Sequence, residues 1–239
     1  MTRHLIIAQD KGGVGKSTLT RAGAEAVPEA KIIEIDMSSR LRELGARVTF
    51  FPMRADRDAI ERTGGRAARG EYDAVIDAIA SATIPTIIDV GANTSNSFFH
   101  VLQNLSDDLA SAGVEMGVVI VVTSEPGALA EAPSLLASAK TFARARFVVQ
   151  NQMRGAVDES LLRNIADGAE ISTLPEQILD EEAVAIARDG GFATVAKLDP
   201  GKLSRKFGMA RASRIRRDLA RFRLDAMQAI CSPANWLIG

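Results

Sequence analysis

Asp10-Lys11-Gly12-Gly13-Val14-Gly15-Lys16-Ser17-Thr18 stands between an apolar run, residues 4–9, and a helix-like stretch, residues 16–27. Strand, glycine-rich loop and helix in that order form the setting in which backbone N–H groups wrap a phosphate. The glycines at 12, 13 and 15 let the backbone take conformations closed to other residues and bring the N–H groups close to an anion. Lys16 then reaches the β- and γ-phosphates as a point charge, the Ser17 hydroxyl enters a Mg²⁺ shell, and Thr18 contacts the α-phosphate. The general pattern places a glycine five residues before Gly15, where this chain has Asp10. A second lysine, Lys11, precedes the glycine pair instead.

Working outward, short Ile- and Val-rich runs recur at residues 4–9, 31–36, 86–90, 116–123 and 147–151, and read as buried strands. Helix-like stretches lie between them at 16–27, 57–63, 71–81, 95–109, 128–141 and 158–166. Val48-Thr49-Phe50-Phe51 reads as a short strand that Pro52 ends. This alternation predicts an α/β fold, with a mostly parallel central sheet and helices on both faces.

The composition is that of an ordinary globular protein, 46% hydrophobic and 25% charged over 239 residues. Cys231 is the only cysteine, which excludes a disulfide framework or an iron–sulfur site within one chain. Two histidines make a His-based metal site untenable, and His4 reads as structural. The apolar run at residues 5–8 is too short for a signal peptide or a span, so a cytoplasmic protein is expected. The net charge of −1 hides an asymmetry. From Lys197 onward ten bases face three acids, whereas the preceding residues carry 19 bases and 27 acids. We therefore expect a domain over residues 1–196 and a basic helical tail, residues 197–239, packed on it.

Lys11-Gly12-Gly13-Val14-Gly15-Lys16-Ser17-Thr18 resembles the deviant Walker A motif of the ParA/MinD class of P-loop ATPases. The resemblance implies the three-layer P-loop NTPase fold, ATP and Mg²⁺ as ligands, and a homodimer that forms around ATP. It also implies that Lys11 reaches across that dimer to the partner's phosphates. In the family the second strand usually ends Asp-x-Asp-Pro-Gln; here it reads Glu34-Ile35-Asp36-Met37-Ser38. Asp36 falls on the aspartate that orients the attacking water, and Glu34, Met37 and Ser38 are departures. The plainer alternative for Asp36 is a helix cap.

Asp89 closes the apolar strand Thr86-Ile87-Ile88-Asp89, a rigid platform for a Mg²⁺-bound water. By the resemblance Asp36 and Asp89 both act on the metal through water, and Gly91 in Asp89-Val90-Gly91 senses the γ-phosphate through its backbone. The run Gly91-Ala92-Asn93-Thr94-Ser95-Asn96-Ser97 is similar to ParA-like proteins of conjugative plasmids, the TraL/StbC type, and serves equally as a helix cap. For the base, the resemblance points to Asn151 with Arg154 beside the ring, and to Ser172-Thr173-Leu174-Pro175 as a loop on the other side. Asn151 offers the donor and acceptor that adenine needs, or is a turn residue. No Asn-Lys-x-Asp guanine reader is present, so ATP is expected over GTP.

In the tail, Ile215, Leu219, Phe222, Ala226 and Ile230 fall at helical spacing and form a core stripe. Arg214, Arg217 and Arg221 share another face, with Arg211 close by. Such a ridge suits DNA phosphates, an anionic membrane, or plain solvation. Residues 231–239 are too short and poorly patterned for a membrane helix.

The expected activity is slow, partner-stimulated ATP hydrolysis in DNA partitioning, positioning or conjugation, with an adaptor or cargo protein. The alternative is an ATP-dependent small-molecule ligase of the same superfamily. Iron–sulfur carriers and nitrogenase reductase drop out for want of cysteines. Tyrosine kinases of the superfamily drop out because Tyr72 is the only tyrosine.

Overall fold

The computed structural model describes residues 1–53 and 66–239, residues 66–69 through their backbone only. Among these residues seven strands form one parallel sheet: β1 (Thr2–Ala8), β2 (Lys31–Asp36), β3 (Val48–Pro52), β4 (Thr86–Val90), β5 (Val114–Val122), β6 (Ala143–Asn151) and β7 (Glu170–Leu174). Their order is β3-β2-β4-β1-β5-β6-β7. The register sets Ile7 of β1 beside Asp89 of β4, and Glu34 of β2 on the other side of that same aspartate. The chain winds outward from β1 on one side and then, after β4, on the other. The loop after β1 therefore opens at a topological switch point, where open α/β sheets bind their ligands.

The inner strands are two-sided, as burial on both faces requires. Ile6 and Ala8 face a layer that includes α2 (Arg66–Ala80), α3 (Ser95–Asn104), α5 (Pro126–Ala139) and α6 (Glu159–Ala166). Tyr72, Phe98, Phe99 and Leu135 fill that layer. Leu5 and Ile7 face α1 (Lys16–Ala26), α9 (Met209–Ala229) and α10 (Cys231–Ile238). The last two helices thus complete the core of the opposite face, through Ala226, Ala229, Ile230 and Leu237. Arg223 of α9 also pairs with Glu25 of α1, and Ser172 Oγ donates to the Ala229 carbonyl at 2.7 Å. Further up α9, Ile215 and Leu219 are fully buried against Ala183 of α7 (Glu181–Val195), with Phe207 of α8 (Pro200–Phe207) packed against them. Each such side chain contributes about 1.5–3 kcal/mol on burial.

β2 and β4 fall on the predicted residues, β1 and β5 begin two residues earlier and end one residue earlier than predicted, and β6 begins four residues earlier. β7 is an addition. It lies at the sheet edge with its first two residues exposed, so it lacks the apolar run that marks a buried strand. Pro52 is the last residue of β3 rather than its stop, which an edge strand tolerates because no inner neighbour needs its N–H. The predicted helix 95–109 breaks at Leu105 (φ −109°, ψ 10°) into α3 and α4 (Ser106–Ser111). α2 starts five residues before its predicted beginning. The predicted helix over 57–63 falls outside the described residues. Among the described residues no helix is long and apolar enough to cross a membrane.

His4 lies in β1 on the same face as Ile6. It is fully buried, and neither ring nitrogen has a partner among the described residues. Burial pushes its pKa down to about 4.

Candidate functional site

Residues 10–15 leave the end of β1 and turn into α1 through Gly13 (φ 78°) and Gly15 (φ 101°). At Gly15 a Cβ would stand 2.5 Å from Asn151 Nδ2, so this position excludes any larger residue on two counts. The loop is braced from within. Lys16 is buried, and its ammonium donates to the Gln9 carbonyl at 2.6 Å and the Lys11 carbonyl at 3.3 Å. Desolvation lowers its pKa, opposed by the carboxylates of Asp89, Asp10 and Asp36, while Arg40 adds to the lowering. Gln9 was not singled out from the sequence. Its side chain donates to the Val121 and Ala128 carbonyls and accepts from the Asp10 N–H at 2.9 Å, tying the loop to β5 and α5.

Ser17, at the start of α1, donates its hydroxyl to Asp89 Oδ2 at 2.9 Å. Asp89 Oδ1 is buried and has no partner among the described residues. Burial raises the Asp89 pKa to about 6, against the Ser17 hydrogen bond and the Lys16 charge. A hydroxyl and a carboxylate already in contact, with one buried oxygen unclaimed, fit the needs of a hydrated Mg²⁺. Asp36 ends β2 and is half-buried; its carboxylate accepts from the Ser38 N–H at 3.3 Å and lies 3.4 Å from Arg40 Nε. Gly91 follows β4 so closely that a Cβ there would meet the Ile35 carbonyl at 2.8 Å and Asp36 Cγ at 2.9 Å. Its N–H donates to that Ile35 carbonyl at 2.6 Å, so here it is turned to β2 and not offered to an anion.

These parts enclose a cavity of about 530 Å³. Gly12 to Thr18 floor it, and Asp36, Ser38 and Ala92 border it. Three arginines also reach it: Arg21, Arg40 and Arg188. That volume lies within the usual range for small-molecule sites.

No protein-family model matches this chain, and no curated protein matches it by sequence. Solved structures do match. A ParA family ATPase from Chlorobium tepidum TLS overlays with a TM-score of 0.51 over 93% of this chain and 98% of its own, at 16% identity. An ATP complex of a McdA variant from Cyanothece overlays with a TM-score of 0.50 over 92% and 96%, at 14% identity. The chain has the ParA-type P-loop ATPase fold.

On this ParA-type frame the other predicted residues take up distinct positions. Lys11 is exposed and turned toward α5, with its ammonium 3.8 Å from the Glu125 carboxylate. Arg154 pairs with the same carboxylate. Asn151, at the end of β6, is buried and donates Nδ2 to the Val14 carbonyl at 2.8 Å; its Oδ1 accepts from the Met153 N–H. It abuts the phosphate loop and braces it, a contact that neither its strand-end position nor its residue type announces. Ser172 to Leu174 belong to strand β7, and Pro175 follows it, exposed. The segment expected as a loop thus contributes only its last residue as one, because the chain adds an edge strand there.

The arginines of α9 divide. Arg211 makes two hydrogen bonds to the Asp180 carboxylate, at 2.9 and 3.0 Å, and its guanidinium stacks over Phe207. Arg221 lies 3.8 Å from Asp225. Arg214 and Arg217 are exposed and make no ion pair among the described residues. Asp180 sits at the cap of α7, out of reach of any pattern read along α9.

Proposed function

We propose that this chain is an ATP-dependent switch of the ParA/MinD type, hydrolysing ATP to ADP and phosphate and dimerising around the triphosphate. The observation that carries this reading is the Lys16 ammonium held inside the glycine loop, next to the Ser17–Asp89 hydrogen bond. Lys16 neutralises the β- and γ-phosphates, the loop N–H groups hold them, and Thr18 meets the α-phosphate. Ser17 and Asp89 hold Mg²⁺, Asp89 through water; the metal, when bound, withdraws charge from the phosphoryl oxygens. Asp36 orients the attacking water. Asn151, Arg154 and Pro175 border the base, and the Lys11 ammonium, carried on an exposed stem, crosses to the partner subunit's phosphates. Release of the Gly91 N–H from Ile35 toward the γ-phosphate supplies a two-state element whose balance hydrolysis resets.

The switch positions or partitions a cargo, in plasmid or DNA segregation, intracellular positioning or conjugation, through an adaptor protein. Arg214 and Arg217 give it a non-specific DNA contact, with Arg211 and Arg221 contributing less because each is in ion-pair contact with a carboxylate. Residues 1–196 carry the nucleotide chemistry, and residues 197–239 carry the basic face.

Light scattering with ADP and with a non-hydrolysable ATP analogue plus Mg²⁺ tests the reading, on wild type and Lys11→Ala. A monomer with ADP that becomes a Lys11-dependent dimer with the analogue is the expected result. A mass that ignores the nucleotide would overturn the dimerising switch.

A further inference from the structure

Arg40 stands on the loop after β2, where no phosphate motif points to it. Its backbone is fixed from both sides. The N–H donates to Glu34 Oε1 at 2.5 Å, and the carbonyl accepts from Arg21 Nη2 at 2.7 Å. Glu34 is itself buried in β2, and its second oxygen accepts from the Ser39 hydroxyl at 3.0 Å. Arg21 is held in turn by Glu43. The glutamate that replaces the first family aspartate thus anchors the loop on which Arg40 rides.

The Arg40 side chain is the opposite: 61% exposed, its one ion pair among the described residues being the 3.4 Å approach of Nε to Asp36 Oδ2. It borders the phosphate cavity, and its charge reaches Lys16, whose lowered pKa it depresses further after the larger effect of burial. Exposed ion pairs of this kind are weak and exchange readily for a better anion. A guanidinium offers a planar fork that matches phosphoryl oxygens, and a pinned backbone reduces the freedom lost on binding.

We propose that Arg40 is a second phosphate-binding cation acting within its own subunit, leaving Asp36 to grip the terminal phosphoryl group of a bound nucleoside triphosphate. This rests on the reading of the glycine loop as a nucleotide site. Its consequence is discrimination: a diphosphate gives Arg40 nothing to grip, so Asp36 stays engaged, whereas a triphosphate draws the guanidinium away and frees the carboxylate facing the cavity. Lys11 is differently placed, beside Glu125 at the cap of α5, so the two cations approach the site from separate elements.

The test is a titration of the full chain with fluorescent ADP and with a fluorescent non-hydrolysable ATP analogue, both with Mg²⁺, for wild type, Arg40→Ala and Arg40→Lys. Arg40→Ala should weaken the analogue by about 10- to 100-fold and leave ADP within about two-fold, with Arg40→Lys between. Equal binding of both nucleotides by wild type and Arg40→Ala, or equal weakening of both, would overturn the proposal and leave the nucleotide site standing. Wild type that binds neither nucleotide would remove the nucleotide site and the role of Arg40 with it. Should Arg40→Ala lose its thermal unfolding transition, Arg40→Gln, which removes the charge but keeps a polar side chain with its first three carbons, gives the same comparison.

Discussion

The Asp10 carboxylate accepts a hydrogen bond from the Ser95 N–H at 2.6 Å, across 85 residues of chain. Its other oxygen accepts from the Asn96 N–H and side chain, and its carbonyl accepts from the Asn93 N–H. Asp10 therefore caps α3 from the phosphate loop, while Thr94, at the cap position, makes no side-chain cap bond. The residue that breaks the usual glycine pattern joins the loop to the segment following Asp89.

Removing that cap should cost stability. Asp10→Ala leaves the buried Ser95 N–H short of an acceptor, removes the cap from Asn96, and is expected to lower the unfolding free energy by about 1–2 kcal/mol. Urea denaturation at neutral pH measures this. Asp10→Asn should lose less, since an amide oxygen still accepts.

His4 makes stability depend on pH. Its pKa is about 4 in the fold against an ordinary 6.5, so between those values the unfolded chain binds a proton that the folded chain does not. Stability from this residue is complete above pH 6.5 and falls as pH drops toward 4, with about 2 kcal/mol lost between pH 7 and 5. Urea titrations at the two pH values should show that loss, and His4→Leu should shrink it. An unchanged difference in the variant would place the proton uptake elsewhere.

Lys16→Ala should abolish nucleotide binding, with ATP and ADP affinity both falling by about 100-fold or more, because both present a β-phosphate to the ammonium. Isothermal titration of each nucleotide is the measurement. Unchanged affinity would remove the loop from the site.

Arg214, Arg217 and Arg221 changed together to glutamate should eliminate DNA binding that weakens with salt, with ATP binding intact. Arg211→Glu should behave differently. It strips Asp180 of a two-bond partner and brings a second carboxylate to it, so the loss appears in thermal stability as well as in DNA affinity. Fluorescence anisotropy of a labelled duplex at two salt concentrations, beside thermal melts, separates the two.

Local chemistry made the ligand-facing frame legible. A glycine run after a strand, a lysine and serine at the helix start, and acids closing two apolar strands are short-range patterns. Their meaning follows from backbone geometry within a few residues: Lys16, Ser17 and Asp36 line one cavity, and Asp89 is hydrogen-bonded to Ser17 beside it. The buried stripe of α9 was equally plain, since helical periodicity records which side faces the core.

Tertiary structure decided what depends on residues far apart along the chain. β7 forms by adding an exposed edge to β6. Asn151 reaches Val14 across 137 residues, Asp10 caps a helix 85 residues on, and Asp180 pairs with Arg211. Hydrogen bonds and ion pairs carry no periodicity, and a carboxylate reads the same along the chain whether it binds water, a metal or an arginine. Only the packing of the sheet, which sets Glu34 beside Asp89 and hangs Arg40 over the cavity, tells those uses apart.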